Sequence, residues 1–192
     1  IIFTNMDCTG PEKYLEMVSR NLSPSRLAHC VRVAEEARKL GVYYGEDPEK
    51  AYLAGLVHDY ARDLGQEALR RFLPAWVDGE AYAIPGIWHA LAGPAILIKD
   101  LGIRNYQILH AVRWHATACE NMSRFDKIIF VADLAEEGRE FQEALEIRRK
   151  IREDLEGGYL LALEVKLQYL LSTGRLIYPA SIKAWNRETM TR

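Results

Sequence analysis

Apolar and polar positions alternate along this chain with helical spacing almost from end to end. SPSRLAHCVRVAEEARKLG keeps one apolar face, with Ser23 as N-cap, Pro24 in the first turn and Gly41 as the expected stop. DPEKAYLAGLVHDYA repeats that opening with Asp47 and Pro48, and its apolar residues nearly encircle the helix, which predicts a central position. A short helix is expected near QEALRRFL, before an irregular stretch holding Pro74, Pro85 and Gly86. WHALAGPAILIKDLG predicts a helix interrupted or kinked near Gly93-Pro94 and stopping at Gly102. NYQILHAVRWH is amphipathic, and SRFDKIIFVADLAEE opens with Ser123 and Asp126 at capping-box spacing. A last pattern runs from about Glu143 to Leu171, with a break expected at Gly157-Gly158. No sustained strand pattern, internal repeat or low-complexity segment stands out, so the expected fold class is all-α.

Several polar residues sit inside these apolar runs, where an unpaired polar group is costly to bury. In AGLVHDYARD, residues 54–63, His58 and Asp59 stand side by side in the central helix. His29 is expected mid-helix, His89 at a helix start, and His115 at a helix end on the face of Ile108 and Val112. Asp133 adjoins Val131 and Ala132. One inward histidine is commonly a hydrogen-bonded core residue. Six inward polar residues on five helices point instead to a shared metal centre. Imidazole and carboxylate donors suit iron, manganese or zinc, and the lack of cysteine disfavours a structural zinc site. Neighbouring helical residues differ by about 100° in direction. His58 can therefore hold one ion while Asp59 leans between that ion and a second. His110 lies three residues before Arg113 and is expected on the surface, outside the ligand set; Tyr60, Trp88 and Trp114 are expected in the core.

Composition narrows the classes. The chain has 192 residues, long enough for one sizeable domain, and a net charge of −2 gives no footprint for binding nucleic acid. No apolar run has the length of a membrane span, and no secretory signal pattern opens the chain. Cys8, Cys30 and Cys119 are scattered and odd in number, which argues against a disulfide framework and fits a reducing cytoplasm. The first methionine is Met6, and residues 1–5 are given no functional weight.

The ordered set His29, His58-Asp59, His89, His115 and Asp133 resembles the HD-domain metal-dependent phosphohydrolases. The segments SRLAHCVRVA, AGLVHDYARD, WHALAGPA, AVRWHATA and MSRFDKIIFVADLAEEGREF carry the likeness, with IREDL and IYPASIKAWN extending it over most of residues 24–186. More narrowly they resemble the YqeK subfamily, bacterial enzymes that split diadenosine tetraphosphate symmetrically into two ADP. The resemblance implies a single HD-domain helical bundle around a buried dimetal site. Residues 23–172 would form it, with 1–22 as an N-terminal segment and lead-in helix and 173–192 as a C-terminal tail packed on or extending from it.

By that resemblance His29, His58, Asp59 and Asp133 hold a first metal ion, and Asp59, His89 and His115 a second. Iron is the expected occupant, with manganese, zinc or magnesium as alternatives. The implied reaction is hydrolysis of a dinucleoside polyphosphate by a metal-bridged hydroxide, with Asp59, Arg62 and Asp63 at the reacting centre. Arg26, Arg62, Lys127 and Arg139 each lie in a motif segment about one helical turn from a ligand and are expected, with Thr117, to contact the substrate phosphates. ADP is the expected bound product, and a homodimer is compatible with the family. Arg62 stands where a lysine commonly follows HDYA, HATA brings in Ala116 and Ala118, and EEGR brings in Glu137-Gly138; these departures touch the phosphate-contacting shell and none removes a ligand. Two other functions use the same ligand set: an HD-type di-iron oxygenase, and a non-catalytic nucleotide-binding or regulatory protein.

Overall fold

A computed structural model describes residues 11–190, and every regular element among them is a helix. Residues 1–5, Met6 and Cys8 lie outside the described residues. Helix α1 (Pro11–Ser19) leads into α2 (Pro24–Tyr44). Helix α2 runs through Gly41, the expected stop, and ends at Gly45, whose φ of 72° is a left-handed conformation glycine adopts without steric penalty. Gly41 is instead a contact residue, since a Cβ there would lie 3.2 Å from the Ala51 Cβ of the next helix.

That next helix, α3 (Pro48–Val57), opens as the sequence predicts, with the Asp47 carboxylate accepting the amides of Glu49 and Lys50. It ends earlier than expected. His58 caps it, and Asp59 lies in the tight turn beyond, where the Arg62 amide donates to the Asp59 carbonyl at 2.8 Å. Short helices α4 (Gln66–Arg70) and α5 (Gly79–Tyr82) and a 3-10 turn at Pro85–Ile87 fill the irregular stretch. Helix α6 (Trp88–Leu101) is continuous through Gly93-Pro94, contrary to the expected interruption. Pro94 forfeits one main-chain hydrogen bond, but Leu91, Ile96 and Leu97 are buried on either side of it and hold one helix together.

Helix α7 (Tyr106–Trp114) is capped by Asn105, and α8 (Arg124–Ala135) by the reciprocal Ser123–Asp126 capping box. The last long pattern divides into α9 (Gln142–Lys150) and α10 (Leu155–Ser172), followed by α11 (Pro179–Met190), which packs on α10. The break falls before Gly157-Gly158 and not at them. Both glycines lie in the first turn of α10, where a Cβ on Gly158 would stand 2.7 Å from the Ile151 Cα, so they permit the tight fold-back of α10 on α9. Helix α8 is the hub: Phe125 and Ile128 through Ala132 are all buried, and α2, α3, α7, α9 and α10 pack around it.

The α2–α3 contact sets the spacing of the first three polar residues. Gly55 lies against the main chain of α2, so a Cβ there would approach the Ala34 Cα to 2.7 Å and its nitrogen to 2.9 Å. Backbone cannot yield as a side chain can. Gly55→Ala is expected to cost about 1–3 kcal/mol in denaturant unfolding, as overpacking does. Gly65→Ala, at a position open to space, should stay near wild type. Equal unfolding midpoints for the two variants would remove the Gly55 contact as a determinant of the fold.

Candidate metal centre

Five elements deliver the six polar residues to one point. His29 comes from α2, His58 and Asp59 from the end of α3, His89 from the start of α6, His115 from the cap of α7, and Asp133 from α8. Hydrogen bonds orient the rings. His58 Nδ1 lies 2.7 Å from the Gly55 carbonyl and His115 Nδ1 lies 2.7 Å from the Val112 carbonyl. A carbonyl only accepts, so each Nδ1 carries the hydrogen and each Nε2 presents its lone pair to the centre. His29 Nδ1 is turned the same way by Glu136 Oε1 at 3.2 Å, leaving its Nε2 3.1 Å from Asp133 Oδ1.

The two oxygens of Asp59 face different nitrogens. Oδ1 lies 3.2 Å from His89 Nε2 and 3.4 Å from His115 Nε2, while Oδ2 lies 3.8 Å from His58 Nε2. His58 Nε2 is also 3.8 Å from Asp133 Oδ1. Donor atoms of His29, His58 and Asp59, of His58, His115 and Asp133, and of Asp59, His89 and His115 are each grouped closely enough to share a cation.

The electrostatics favour one. Burial pushes the His58 and His89 rings down to about 4 and about 3, so both are neutral near pH 7, the form in which an imidazole can hold a metal. Burial alone would raise the Asp59 carboxyl, yet His58, His115 and His89 pull it far below the usual carboxylate range. His29 is raised: burial opposes its charge, but Asp133 and Glu136 on its two nitrogens outweigh that. The Nε2 atom of His58 is buried without a hydrogen-bond partner, and that of His29 faces only Asp133, off good hydrogen-bond geometry; a metal ion would satisfy both. Nitrogen and oxygen donors with no thiolate fit a divalent transition metal. Cys30, beside His29, is a protonated core residue because burial raises its thiol.

A cleft of about 440 Å³ opens over these residues. Arg26, Arg62, Arg139 and Thr117, four of the five expected substrate-contacting residues, line it. Arg26 Nη1 donates to Asp59 at 2.9 Å and Arg139 Nη2 to Asp133 at 3.1 Å. Arg62 Nη1 donates to the Gly86 carbonyl at 3.1 Å and rests 2.9 Å from His89 Nδ1. Lys127 does not join them. It turns to the other side of α8 and pairs with Glu156 and Glu188. Asp63 also points elsewhere, accepting the Ser23 amide at 2.9 Å, with Arg26 Nε at 3.9 Å. The outer wall includes Tyr178 and Ser181, from the segment expected as a tail.

Three residues were not anticipated. Glu136 is buried and receives Arg32 Nε and the Gly138 amide at 2.5 Å each; burial would raise its carboxyl, but Arg32 holds it below the usual range. Arg148 donates to the carbonyls of Ala135, Glu136 and Arg139 at 2.6 Å each, fixing the turn that carries Arg139 into the cleft. Lys166 enters the cleft floor from α10, and burial lowers its ammonium to about 8. Glu136 was legible as the residue one turn after Asp133. Lys166 was legible by the test applied to His58, a charge inside an apolar run.

His110 is not the surface residue that its helical phase suggested. Its Nδ1 pairs with the buried Asp126 at 3.0 Å, because the start of α8 covers that face of α7. Asp126, and then Cys119, raise its pKa to about 9. The folded ring binds its proton more tightly than the ordinary 6.5 value, so the pair's contribution is complete below that pH and lost as pH rises through about 9. His110→Ala should therefore lower the unfolding midpoint at pH 7, with the deficit closing above about 9, and leave metal content intact; a pH-independent deficit would contradict the ion pair. Glu136→Gln, by contrast, should weaken metal binding roughly 10–100-fold, as loss of outer hydrogen-bond partners does. Unchanged metal affinity in a titration would remove Glu136 as the residue that orients His29.

The HD domain family model matches residues 26–138, a span that contains all six converging residues. The chain is 32% identical to a symmetrical bis(5'-nucleosyl)-tetraphosphatase of Halalkalibacterium halodurans, over 91% of this chain and 95% of that one. It is 28% identical to the protein of the same name from Bacillus subtilis, over 91% and 95%. Among solved structures it is similar to a crystal structure described as a predicted HD superfamily hydrolase involved in NAD metabolism, from Clostridium acetobutylicum. That likeness has a TM-score of 0.91 and 31% identity, and covers 95% of this chain and 98% of the other. With this match and this convergence of histidine and aspartate from five helical elements, the chain belongs to the HD domain family.

Proposed function

We propose that this chain is a metal-dependent phosphohydrolase that cleaves diadenosine tetraphosphate symmetrically into two ADP. The observation that carries the reading is a cluster of inward imidazole and carboxylate donors at the floor of an arginine-lined cleft. The names of the Halalkalibacterium halodurans and Bacillus subtilis relatives support the substrate. His29, His58, Asp59 and Asp133 are assigned to one metal ion and Asp59, His89 and His115 to the other, with Asp59 shared. Iron is the assigned occupant, consistent with donors that are all nitrogen and oxygen. When bound, the ions supply Lewis acidity and a water acidic enough to ionise near neutral pH.

The protein's own part is orientation and charge. The Nδ1 hydrogen bonds to Gly55, Val112 and Glu136 hold the imidazoles in one pose and tautomer. Arg26 and Arg139 provide forked donors for phosphate oxygens, and Arg62, tethered to the Gly86 carbonyl, stands beside His89 as a third. In symmetrical cleavage, oxygen from water bonds to the second phosphorus of one nucleotide. The bond from that phosphorus to the central oxygen, which joins the two halves, breaks; the second ADP leaves as a stable oxyanion and the proton of the water passes to solvent. Cations on both sides of the attacked phosphorus offset the charge that accumulates there. ADP is the ligand expected to remain bound.

Relatives named as tetraphosphatases favour this reaction over the oxygenase and regulatory alternatives. No helix among the described residues is long and apolar enough to cross a membrane. Chromatography of early products from metal-loaded protein and diadenosine tetraphosphate under anaerobic conditions tests the reading. ADP should be the sole nucleotide product, and His58→Ala or Asp59→Ala should reduce turnover to background. Equal amounts of ATP and AMP, or a requirement for oxygen, would refute it.

A further inference from the structure

The cations of the cleft differ in how their charge is held. Arg26 lies on Asp59 and Arg139 on Asp133, and away from the cleft Lys127 lies between Glu156 and Glu188. Lys166 has no such partner: among the described residues no carboxylate stands within ion-pair distance of it. Its Nζ lies 4.9 Å over the Phe130 ring. Its one hydrogen bond goes to the His115 carbonyl at 3.3 Å. An ammonium carries three donors and accepts nothing. The remaining donors of this half-buried ammonium are open to the cleft, where an anion would meet both its hydrogen bonds and its charge.

The geometry points to Lys166 as a substrate-binding residue that donates to phosphate oxygens at the cleft floor, beside the turn that carries His115. This rests on the reading of the cleft as a polyphosphate site. The assignment accounts for why a lysine interrupts the run LLALEVKLQYLL and faces the same cavity as Arg139. Arginine forks fix a phosphate by two parallel bonds, while the ammonium acts as a point charge that follows whichever oxygen approaches. Lys166 would thus add attraction without competing for the geometry that Arg26 and Arg139 impose.

The test uses inorganic pyrophosphate as the probe, by calorimetry on metal-loaded wild type, Lys166→Met and Lys166→Arg, with metal content measured on each. Loss of one charge-assisted contact should weaken pyrophosphate binding in Lys166→Met roughly 10–100-fold. Metal content should be unchanged, and Lys166→Arg should recover part of the affinity. With diadenosine tetraphosphate, KM should rise by a similar factor, more than kcat falls. Lys166→Gln repeats the comparison should the methionine variant fold poorly. Unchanged pyrophosphate affinity overturns the assignment. So does metal loss that matches the loss of affinity, because Lys166 would then only prop the His115 turn. If wild type binds pyrophosphate through Lys166 yet does not cleave the tetraphosphate, the phosphate contact stands and the proposed substrate falls.

Discussion

Asp59 presents one oxygen to His89 and His115 and the other to His58 and Arg26, and the remaining architecture serves to keep that carboxylate charged inside the core. An isolated buried carboxylate would neutralise itself by taking a proton. Here the surrounding imidazoles hold its pKa down, and Asp133 is held down in the same way, chiefly by His29 and His58 once the cost of burial is met. Two permanent negative charges at the meeting point of α2, α3, α6, α7 and α8 require positive charge. In the protein alone Arg26 and Arg139 supply it from the cleft side.

Under the proposed function, that arrangement would link binding of metal to binding of substrate. The arginines that neutralise Asp59 and Asp133 are the same groups offered to phosphate, so cations on the carboxylates would leave forked donors for an anion in the cleft. Outside this layer a second set of contacts fixes positions. Arg32 and the Gly138 amide hold Glu136 against His29, and Arg148 closes the end of α8 by taking three carbonyls. Close helix contacts set the frame, with Gly55 against the main chain of α2 and Gly158 against Ile151. The centre therefore depends on residues that bear no chemistry of their own.

Much of this was legible in the sequence because helical period and unexplained polarity are local signals. Capping at Asp47 and Ser123 and the inward direction of all six polar residues follow from spacing alone. Distance along a helix was the weaker guide. Lys127 precedes Asp133 by six residues, which places it roughly 240° around the helix from that carboxylate. It consequently meets α10 and α11 instead of the cleft. His110 has the phase of a non-ligand, but nothing within α7 reveals that the start of α8 would half-cover it and pair it with Asp126. Gly41 and Gly157-Gly158 read as breaks because their real constraint, a neighbouring helix, lies elsewhere in the chain. Lys166 stood out as a charge inside an apolar run, but only folding brings it under His115.

The account stands on one carboxylate serving two cations. Anomalous diffraction from crystals of the metal-loaded protein measures this directly. Two metal peaks are expected, each bonded to a different Asp59 oxygen, with His89 and His115 on one and His29, His58 and Asp133 on the other. A single peak, or two peaks with Asp59 bonded to neither, would contradict it.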